Sequence, residues 1–315
     1  MSKLQFLLSG GLGNQIFQYL ASKYITKQIP DVIVNYSLSD YILKGYRSFE
    51  INKIIIEKIK IDKEYKSNSS KLLRKIIKNI HLLNNMNTSK LLMKFKFLET
   101  IDENELNHKY KFKNTLLDLH QKLKSIKHLN STIKIVGYWQ NPSCYIDNIK
   151  NINLLFEDTK KNLPSNFQSI KYITIHIRRG DYLVNKENYF TYFSRFSEIQ
   201  FILGALQLIP KEFESIPVYC ISDDYEWALK YIPLISNNIK NKLFILDNKD
   251  PIKTWSILNN SLINIISNST FSYTAALLNT NNLNNKLRCI LPKWVNFKES
   301  SFEKGWLSPS GFIEL

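Results

Sequence analysis

Residues 3–28 read KLQFLLSGGLGNQIFQYLASKYITKQ, an apolar run followed by a glycine-rich turn and then by a helical pattern. The apolar run over residues 3–9 predicts a short buried strand that stops at the glycines. Residues 14–28 predict a helix, because their apolar side chains recur near one face. A second apolar run at residues 32–34 predicts the next strand. Strand, glycine turn, helix and strand together indicate the start of a parallel α/β unit.

The same alternation returns further along the chain. It predicts strands at residues 133–136, 172–177, 218–221, 243–246, 262–266 and 289–291, and helices at residues 190–209, 226–231, 251–259 and 272–278. A polar segment near residues 151–168 indicates a boundary between residues 1–160 and 161–315. The chain is therefore predicted to be an α/β protein with two Rossmann-like domains that face each other across a cleft.

The composition fits a folded and strongly basic protein. The 315 residues include 43 basic and 27 acidic side chains, which gives a net charge of +16, and 44% of the residues are hydrophobic. That hydrophobic fraction excludes wholesale disorder. The charge favours a phosphate-bearing or polyanionic partner. Because only six of the basic residues are arginine, a bias towards lysine in the whole composition explains the charge equally well.

Cysteine usage and hydropathy predict a cytoplasmic location. Cys144, Cys220 and Cys289 are the only cysteines, and their spacing matches neither a metal site nor a redox pair. The apolar run at the N-terminus is too short for a signal peptide, and no run approaches the 18 apolar residues of a membrane span.

The glycine turn allows two interpretations. Gly11, Gly13, Asn14 and Gln15 follow a predicted strand and open a predicted helix, which is where a backbone can approach an anion closely. The segment lacks the third glycine of the dinucleotide fingerprint and the lysine of a Walker loop. A tight structural turn and a binding loop both remain open at this point.

A second motif contains two of the six arginines. His176, Arg178, Arg179 and Asp181 come at the end of the predicted strand 172–177, where open α/β sheets bind ligands. Arginine offers a rigid fork of donors that matches a phosphate group. The motif therefore favours phosphate binding, and the alternative is a structural pair of arginine and aspartate.

Two further polar segments follow predicted strands. The first segment consists of Ser222, Asp223 and Asp224. It could hold a metal, accept hydrogen bonds from ribose or guanine, or cap a helix. The second segment could form a phosphate nest or cap a helix, and it consists of Asn268, Ser269, Thr270, Phe271 and Ser272.

Residues 71–83 predict a basic amphipathic helix. Apolar side chains recur at helical spacing, and Lys71, Arg74, Lys75 and Lys78 lie between them. An ordinary helix that buries one face explains this pattern, and so does weak peripheral contact with an anionic membrane.

Taken in order and spacing, these segments resemble the bacterial α-1,2-fucosyltransferases of glycosyltransferase family 11. The resemblance runs from residue 4 to about residue 297. The matching residues are Gly10–Gln15 with Phe17 and Gln18, then His176, Arg178, Arg179 and Asp181, then Ser222–Asp224 with Trp227, then Asn268–Ser272, and finally Pro292, Lys293 and Trp294.

One segment departs from the family pattern. Tyr138, Trp139 and Gln140 keep the start of a family segment, whereas residues 141–145 do not continue it. If the segment borders the acceptor, Tyr138, Trp139 and Gln140 are expected acceptor contacts, and the choice of acceptor differs from that of other members.

The resemblance implies a GT-B fold and an enzyme that transfers L-fucose, with inversion, from GDP-β-L-fucose to the 2-hydroxyl of a galactoside. It implies no cofactor and no metal. The acceptor would be a galactose-containing oligosaccharide or a lipid-linked glycan of the O-antigen or capsule type. The alternatives are a transferase for another nucleotide sugar and, on the charge alone, a nucleic-acid-binding protein, although no nucleic-acid-binding signature is present.

The resemblance also suggests roles for individual residues. Arg178 would be the main ligand of the β-phosphate and Arg179 the second, and Asn14 would reach the donor from the opposite domain. Asp223 or Asp224 would read guanine or ribose. The general base would be His176 or Asp181, unless these residues only orient the arginines. The phosphate cradle would be completed by Ser269 and Thr270.

Overall fold

The structure, a computed structural model, describes residues 3–62, 100–102, 115–125, 132–140, 151–152, 154–156, 159–180, 198–236, 239–279, 286–292 and 309–315. Several predictions fall outside these ranges. They are the role of Asp181, the first residues of the helix predicted at 190–209, the basic helix at 71–83, and the match at Lys293 and Trp294.

The first half of the chain forms a parallel sheet in the order β2-β1-β4-β3. Lys3 of β1 lies opposite Ile33 of β2 and Thr132 of β4, so β1 is central. β3 is only three residues long, and the sequence did not predict it. The described elements of this half are β1 (Lys3–Leu8), α1 (Leu12–Gln28), β2 (Ile33–Leu38), α2 (Asp40–Leu43), β3 (Thr100–Asp102), α3 (Thr115–Ser125) and β4 (Thr132–Val136).

The second half forms another parallel sheet, in the order β10-β9-β8-β5-β6-β7. Numbered within this half, the order is 3-2-1-4-5-6 read from β7, which is that of the Rossmann fold. The strands are β5 (Ile173–Ile177), β6 (Val218–Ser222), β7 (Leu243–Leu246), β8 (Ile263–Ile266), β9 (Cys289–Leu291) and β10 (Phe312–Glu314). The prediction of an α/β protein with two Rossmann-like halves is confirmed, and their meeting across a cleft gives the GT-B arrangement.

One helix of the second half, residues 251–259, begins at a recognisable side-chain cap. The side chain of Asp250 accepts hydrogen bonds from the backbone of Ile252 and Lys253 at 2.9 and 3.2 Å, and a proline opens the helix. Such caps satisfy the first free N–H groups of a helix. The described helices are α4 (Glu198–Gln207), α5 (Tyr225–Tyr231), α6 (Pro233–Ser236), α7 (Pro251–Asn259) and α8 (Thr270–Leu277).

A single apolar core connects the two halves. It contains fully buried side chains of β1, α1 and β4 together with those of α7, α8 and β9. The rings of Phe17 on α1 and Tyr273 on α8 stack with their centroids 6.1 Å apart. The boundary predicted near residue 160 lies between β4 and β5, but the packing of the two halves does not stop there. Among the described residues, no helix is long and apolar enough to cross a membrane.

Within this core the N-termini of α1 and α8 approach each other closely. A Cβ atom on Gly13 would lie 2.4 Å from the carbonyl carbon of Thr270 and 2.5 Å from the backbone nitrogen of Phe271. No side chain fits there, so a glycine is required at this position. The two helix starts are held against each other by backbone contact.

We expect Gly13→Ala to lower the free energy of unfolding by about 1–3 kcal/mol, because the added methyl group must push the two backbones apart. Chemical denaturation measures this loss. Gly11→Ala is the matched control, since a Cβ atom there meets nothing within 4 Å. Equal stability of the two variants would show that α1 and α8 do not approach this closely.

Candidate functional site

A cleft of about 770 Å³ opens between the two halves. Open α/β sheets bind ligands beyond the carboxyl ends of the strands, at the point where the strand order reverses. That point lies between β1 and β4 in the first sheet and between β5 and β8 in the second. Residues that follow all four strands line the cleft, among them Gly11, Tyr138, Arg178 and Thr270. The cleft is therefore the candidate functional site.

The N-termini of α1 and α8 both border this cleft. Their cap residues are Gly11 and Ser269, and neither makes a side-chain capping hydrogen bond. The first N–H groups of a helix have no partner within the helix and carry partial positive charge. Two such termini at one cleft favour an anion bound beside both of them.

Asn14 connects the two helix starts. Its Oδ1 atom accepts hydrogen bonds from the Thr270 hydroxyl at 2.9 Å and from Nε2 of Gln140 at 3.0 Å. Asn14 lines the cleft, as expected, but its oxygen is used within the protein. The Thr270 hydroxyl proton is likewise engaged, so the backbone N–H is the donor that Thr270 can offer to an anion.

Gln15 does not line the cleft, because its side chain is fully buried, and its expected contact with a donor stays a prediction. Its Nε2 atom donates to the carbonyl oxygens of Gly10 and Ser48 at 3.0 and 2.8 Å. Its Oε1 atom accepts from the backbone N–H groups of Glu50 and Ile51 at 3.0 and 3.2 Å. Gln15 therefore fixes the segment 45–50 beside the N-terminus of α1.

Arg178 reaches the cleft from the end of β5. Its backbone N–H donates to the Ser267 hydroxyl at 2.9 Å, and its guanidinium forms an ion pair with Asp223. Asp223 also accepts from the backbone N–H of Arg179 at 2.7 Å. The ion pair with Asp223 orients the guanidinium, which carries five N–H donors in all. Asp223 lines the cleft and supports Arg178. Its expected contact with guanine or ribose stays a prediction.

Arg179 is enclosed on the other side of the strand end, and it is absent from the residues that line the cleft. Its guanidinium forms ion pairs with Glu198 and, at 2.9 Å, with Asp224. It also lies over the ring of Trp227, 4.4 Å from the centroid. The Arg179 side chain is therefore engaged away from the cleft, and its expected role as a second phosphate ligand stays a prediction. Asp224 is a helix cap, since it accepts from the Trp227 N–H at 3.1 Å, which is one of the alternatives that the sequence left open.

Glu198 completes this cluster, and the sequence analysis missed it. Its side chain is only 10% exposed. Burial raises the pKa of Glu198, while the Arg179 guanidinium opposes this shift and Asp224 and Asp223 add to it. No local pattern marks Glu198, because it pairs with Arg179 only through the tertiary fold.

His176 lies on β5 and lines the cleft. Its ring is 5.5 Å from that of Phe271, and its Nδ1 atom has no hydrogen-bond partner among the described residues. Burial lowers the pKa of His176 to about 4; Asp223 opposes this shift and Arg178 adds to it. The imidazole is therefore neutral at pH 7.

The segment 268–272 divides into cleft and core residues. Ser269, Thr270 and Phe271 line the cleft. Asn268 and Ser272 are buried, and the Ser272 hydroxyl donates to the Ser269 carbonyl at 3.3 Å. These two residues do not line the cleft, and their expected contact with a donor stays a prediction.

The residues that follow β4 also separate into cleft residues and core residues. Trp139 has a left-handed backbone conformation, with φ of 55°, and its side chain is fully buried. That turn leaves Tyr138 exposed and lining the cleft. Tyr138 remains a candidate acceptor contact. Trp139 does not line the cleft, and Gln140 bonds to Asn14. Their expected contacts with an acceptor stay predictions.

The structure adds cleft residues that the sequence analysis did not identify. Tyr46, Arg47 and Glu50 come from the first half, and Asp247 follows β7 in the second. Asp247 could have been found, because it follows a predicted strand just as Asp223 does. Glu50 could not, since its placement depends on the hydrogen bonds of Gln15. Within the described ranges, no three His, Cys, Asp or Glu side chains are grouped as metal ligands.

Two comparisons with known sequences match most of the chain. The family model described as glycosyl transferase family 11 matches residues 4–308. An α-1,2-colitosyltransferase of Escherichia coli is 23% identical over 284 residues, which cover 88% of each chain.

Solved structures with 10–11% identity resemble the chain over most of its length. The E. coli heptosyltransferase WaaC with ADP covers 99% of this chain and 92% of its own, with a TM-score of 0.46. POFUT1 with GDP covers 92% and 98%, at 0.47. An Arabidopsis thaliana FUT1 mutant with GDP covers 88% and 68%, at 0.49. Because these TM-scores lie below 0.5, the fold is argued from the strand order of this chain.

We expect Arg179→Met to destabilise the protein by about 3 kcal/mol, since it leaves the buried carboxylate of Glu198 without its partner. Adding Glu198→Gln should recover part of this loss, because a neutral amide is cheaper to bury than an unpaired charge. Chemical denaturation of both single variants and the double variant gives the coupling. Strictly additive losses would show that the two side chains do not form a buried pair.

Proposed function

Because the chain belongs to glycosyl transferase family 11, we propose that it transfers L-fucose from GDP-β-L-fucose to the 2-hydroxyl of a galactoside, with inversion at the anomeric carbon. The observation that carries this proposal is the convergence of Arg178 with the N-termini of α1 and α8 at one cleft. These groups are suited to a diphosphate, which is the leaving group of a nucleotide sugar.

The proposed mechanism depends on charge that develops at the leaving group. As the bond from the anomeric carbon to the β-phosphate oxygen lengthens, negative charge gathers on the phosphate. Arg178, held by Asp223 and by the Ser267 hydroxyl, supplies a fixed positive group at that position. Donors that are already oriented need no reorganisation during the reaction, and such stabilisation is often the largest contribution to catalysis.

We propose that Asp247 reads the base of the donor. Guanine presents two neighbouring N–H donors, at N1 and N2, which match the two oxygens of one carboxylate. Asp223 and Asp224 are used by the arginines, whereas Asp247 lines the cleft after β7 and makes no ion pair with another described residue. A carboxylate there favours guanine over bases that lack this pair of donors.

Transfer of colitose is the second candidate, because a relative at 23% identity is an α-1,2-colitosyltransferase. Colitose is fucose without the 3-hydroxyl group, so the same diphosphate and base contacts serve either donor. The two activities differ only in whether the cleft accommodates a 3-hydroxyl group on the donor sugar.

We propose that the acceptor is a galactoside, either a free oligosaccharide or a lipid-linked glycan, bound against Tyr138. The proposed location is the cytoplasm, where Cys220 and Cys289 would stay as the buried thiols seen here. Weak contact with an anionic membrane rests on the sequence pattern at residues 71–83 alone, which lies outside the described residues.

We also propose that transfer needs no divalent metal. Asp223 and Asp224 each face an arginine, and Arg178 can provide the positive charge that a metal would otherwise bring to the diphosphate.

A donor screen tests the proposed function. The chain is incubated with GDP-fucose, GDP-colitose, GDP-mannose and UDP-sugars in the presence of β-galactosides, in parallel with excess EDTA and with Mg²⁺. We expect an α-1,2-linked product from GDP-fucose, identified by NMR, and equal rates with EDTA. Product from GDP-colitose alone would select the second candidate. Transfer from UDP-sugars, or from none of the donors, would contradict the proposal, and a rate restored only by Mg²⁺ would contradict metal independence.

We expect Arg178→Lys to be nearly as damaging as Arg178→Ala, with kcat lowered roughly 10²–10³-fold in both. Lysine keeps the charge but cannot bridge Asp223 and a phosphate with a rigid fork. Steady-state kinetics with the accepted donor measures the effect. Lys240→Arg is the control, since Lys240 is an exposed residue paired with Glu214. A Lys variant of Arg178 that works at the wild-type rate would refute this role.

A further inference from the structure

Glu50 lines the cleft on the side of the first half. Its carboxylate has no part in the proposed binding of the diphosphate. Glu50 precedes the turn Ile51–Lys53 and is partly buried. Within the described residues its carboxylate makes no hydrogen bond or ion pair. A partly buried carboxylate without a partner that faces a cleft is suited to take a proton from a bound molecule.

The backbone of Glu50 is fixed relative to the diphosphate site. Its N–H donates to Gln15 Oε1 at 3.0 Å, and Gln15 Nε2 holds the carbonyl oxygen of Ser48 at 2.8 Å. Gln15 lies one residue after Asn14, which bonds to Thr270. A short chain of hydrogen bonds therefore sets the distance between Glu50 and the two helix N-termini, as a reacting group requires.

An inverting transfer restricts the position of the general base. The acceptor oxygen must approach the anomeric carbon on the face opposite to the leaving diphosphate, so its proton must be taken on that face. Asp223 is paired with Arg178, on the diphosphate side. His176 also comes from β5, next to Arg178, and with a pKa of about 4 it is a weak base. Glu50 comes from the opposite wall.

We propose that Glu50 is the general base of the transfer reaction. Its carboxylate accepts the proton of the acceptor hydroxyl as that oxygen forms its bond to the anomeric carbon. The bond from the anomeric carbon to the β-phosphate oxygen breaks at the same time, and its electron pair leaves with GDP. This assignment rests on the proposed function, because it needs a sugar acceptor and an inverting transfer.

The electrostatic surroundings support this role. Burial raises the pKa of Glu50; Lys53 and Arg47, from its own segment, oppose the shift, and Asp250 at the N-terminus of α7 adds to it. A higher pKa makes the carboxylate a stronger base. It also means that activity is lost as the pH falls through this raised value, since the protonated acid cannot accept a proton.

The test compares Glu50→Gln and Glu50→Ala with the wild type, using the donor accepted in the screen and methyl β-galactoside. We expect both variants to lower kcat at least 100-fold, while GDP binds with a Kd within about twofold of the wild-type value. The acid limb of the pH profile should disappear in Glu50→Gln. Formate, a small carboxylate, should restore part of the activity of Glu50→Ala and none of that of Arg178→Ala. Glu57→Gln, at an exposed carboxylate paired with Lys23, is the matched control.

The outcomes distinguish the proposed role of Glu50 from the proposed function of the protein. If the wild type transfers sugar and Glu50→Gln retains its rate within tenfold, the base assignment is wrong and the function stands. If kcat falls but the acid limb persists, or GDP binding is lost as well, Glu50 is structural and the assignment is again overturned. If the wild type transfers no sugar from any donor, both proposals fail together.

Discussion

The contact between the N-termini of α1 and α8 is the constraint on which the site depends. The two backbones meet at Gly13 and Thr270 with no room for a Cβ atom. α1 follows the first strand of one sheet, and α8 follows β8 of the other. Their contact therefore brings together the ligand-binding edges of two separate Rossmann-like sheets. Asn14, which bonds to Thr270 and Gln140, adds a polar link at the same place.

The adjacent arginines at the end of β5 have divided tasks. Arg178 faces the cleft, and Arg179 faces a closed cluster of Glu198, Asp224 and Trp227. Arg179 anchors the strand end, and Arg178 is the arginine that a ligand in the cleft would meet. The rigidity of the enclosed side chain supports the placement of its neighbour, which is what preorganised catalysis requires.

The order of motifs predicted the fold and the edges that form the site, because glycines and polar residues after apolar runs mark strand ends. The sequence could not divide Arg178 from Arg179, since that division depends on Glu198, a residue 19 positions further on. Nor could it show that Trp139 turns inward, because the left-handed conformation of that residue reverses the expected alternation. Hydrogen bonds between residues distant in the sequence place Glu50 in the cleft, and no local sequence pattern predicts such bonds.

The central claim is that a nucleoside diphosphate binds between the two halves, at the paired helix starts. A crystal structure of the chain with GDP tests this most directly. The account predicts the β-phosphate within hydrogen-bond distance of the Arg178 guanidinium and of the backbone N–H groups that begin α8, with guanine beside Asp247. A diphosphate bound away from Arg178 and the two helix N-termini would contradict it.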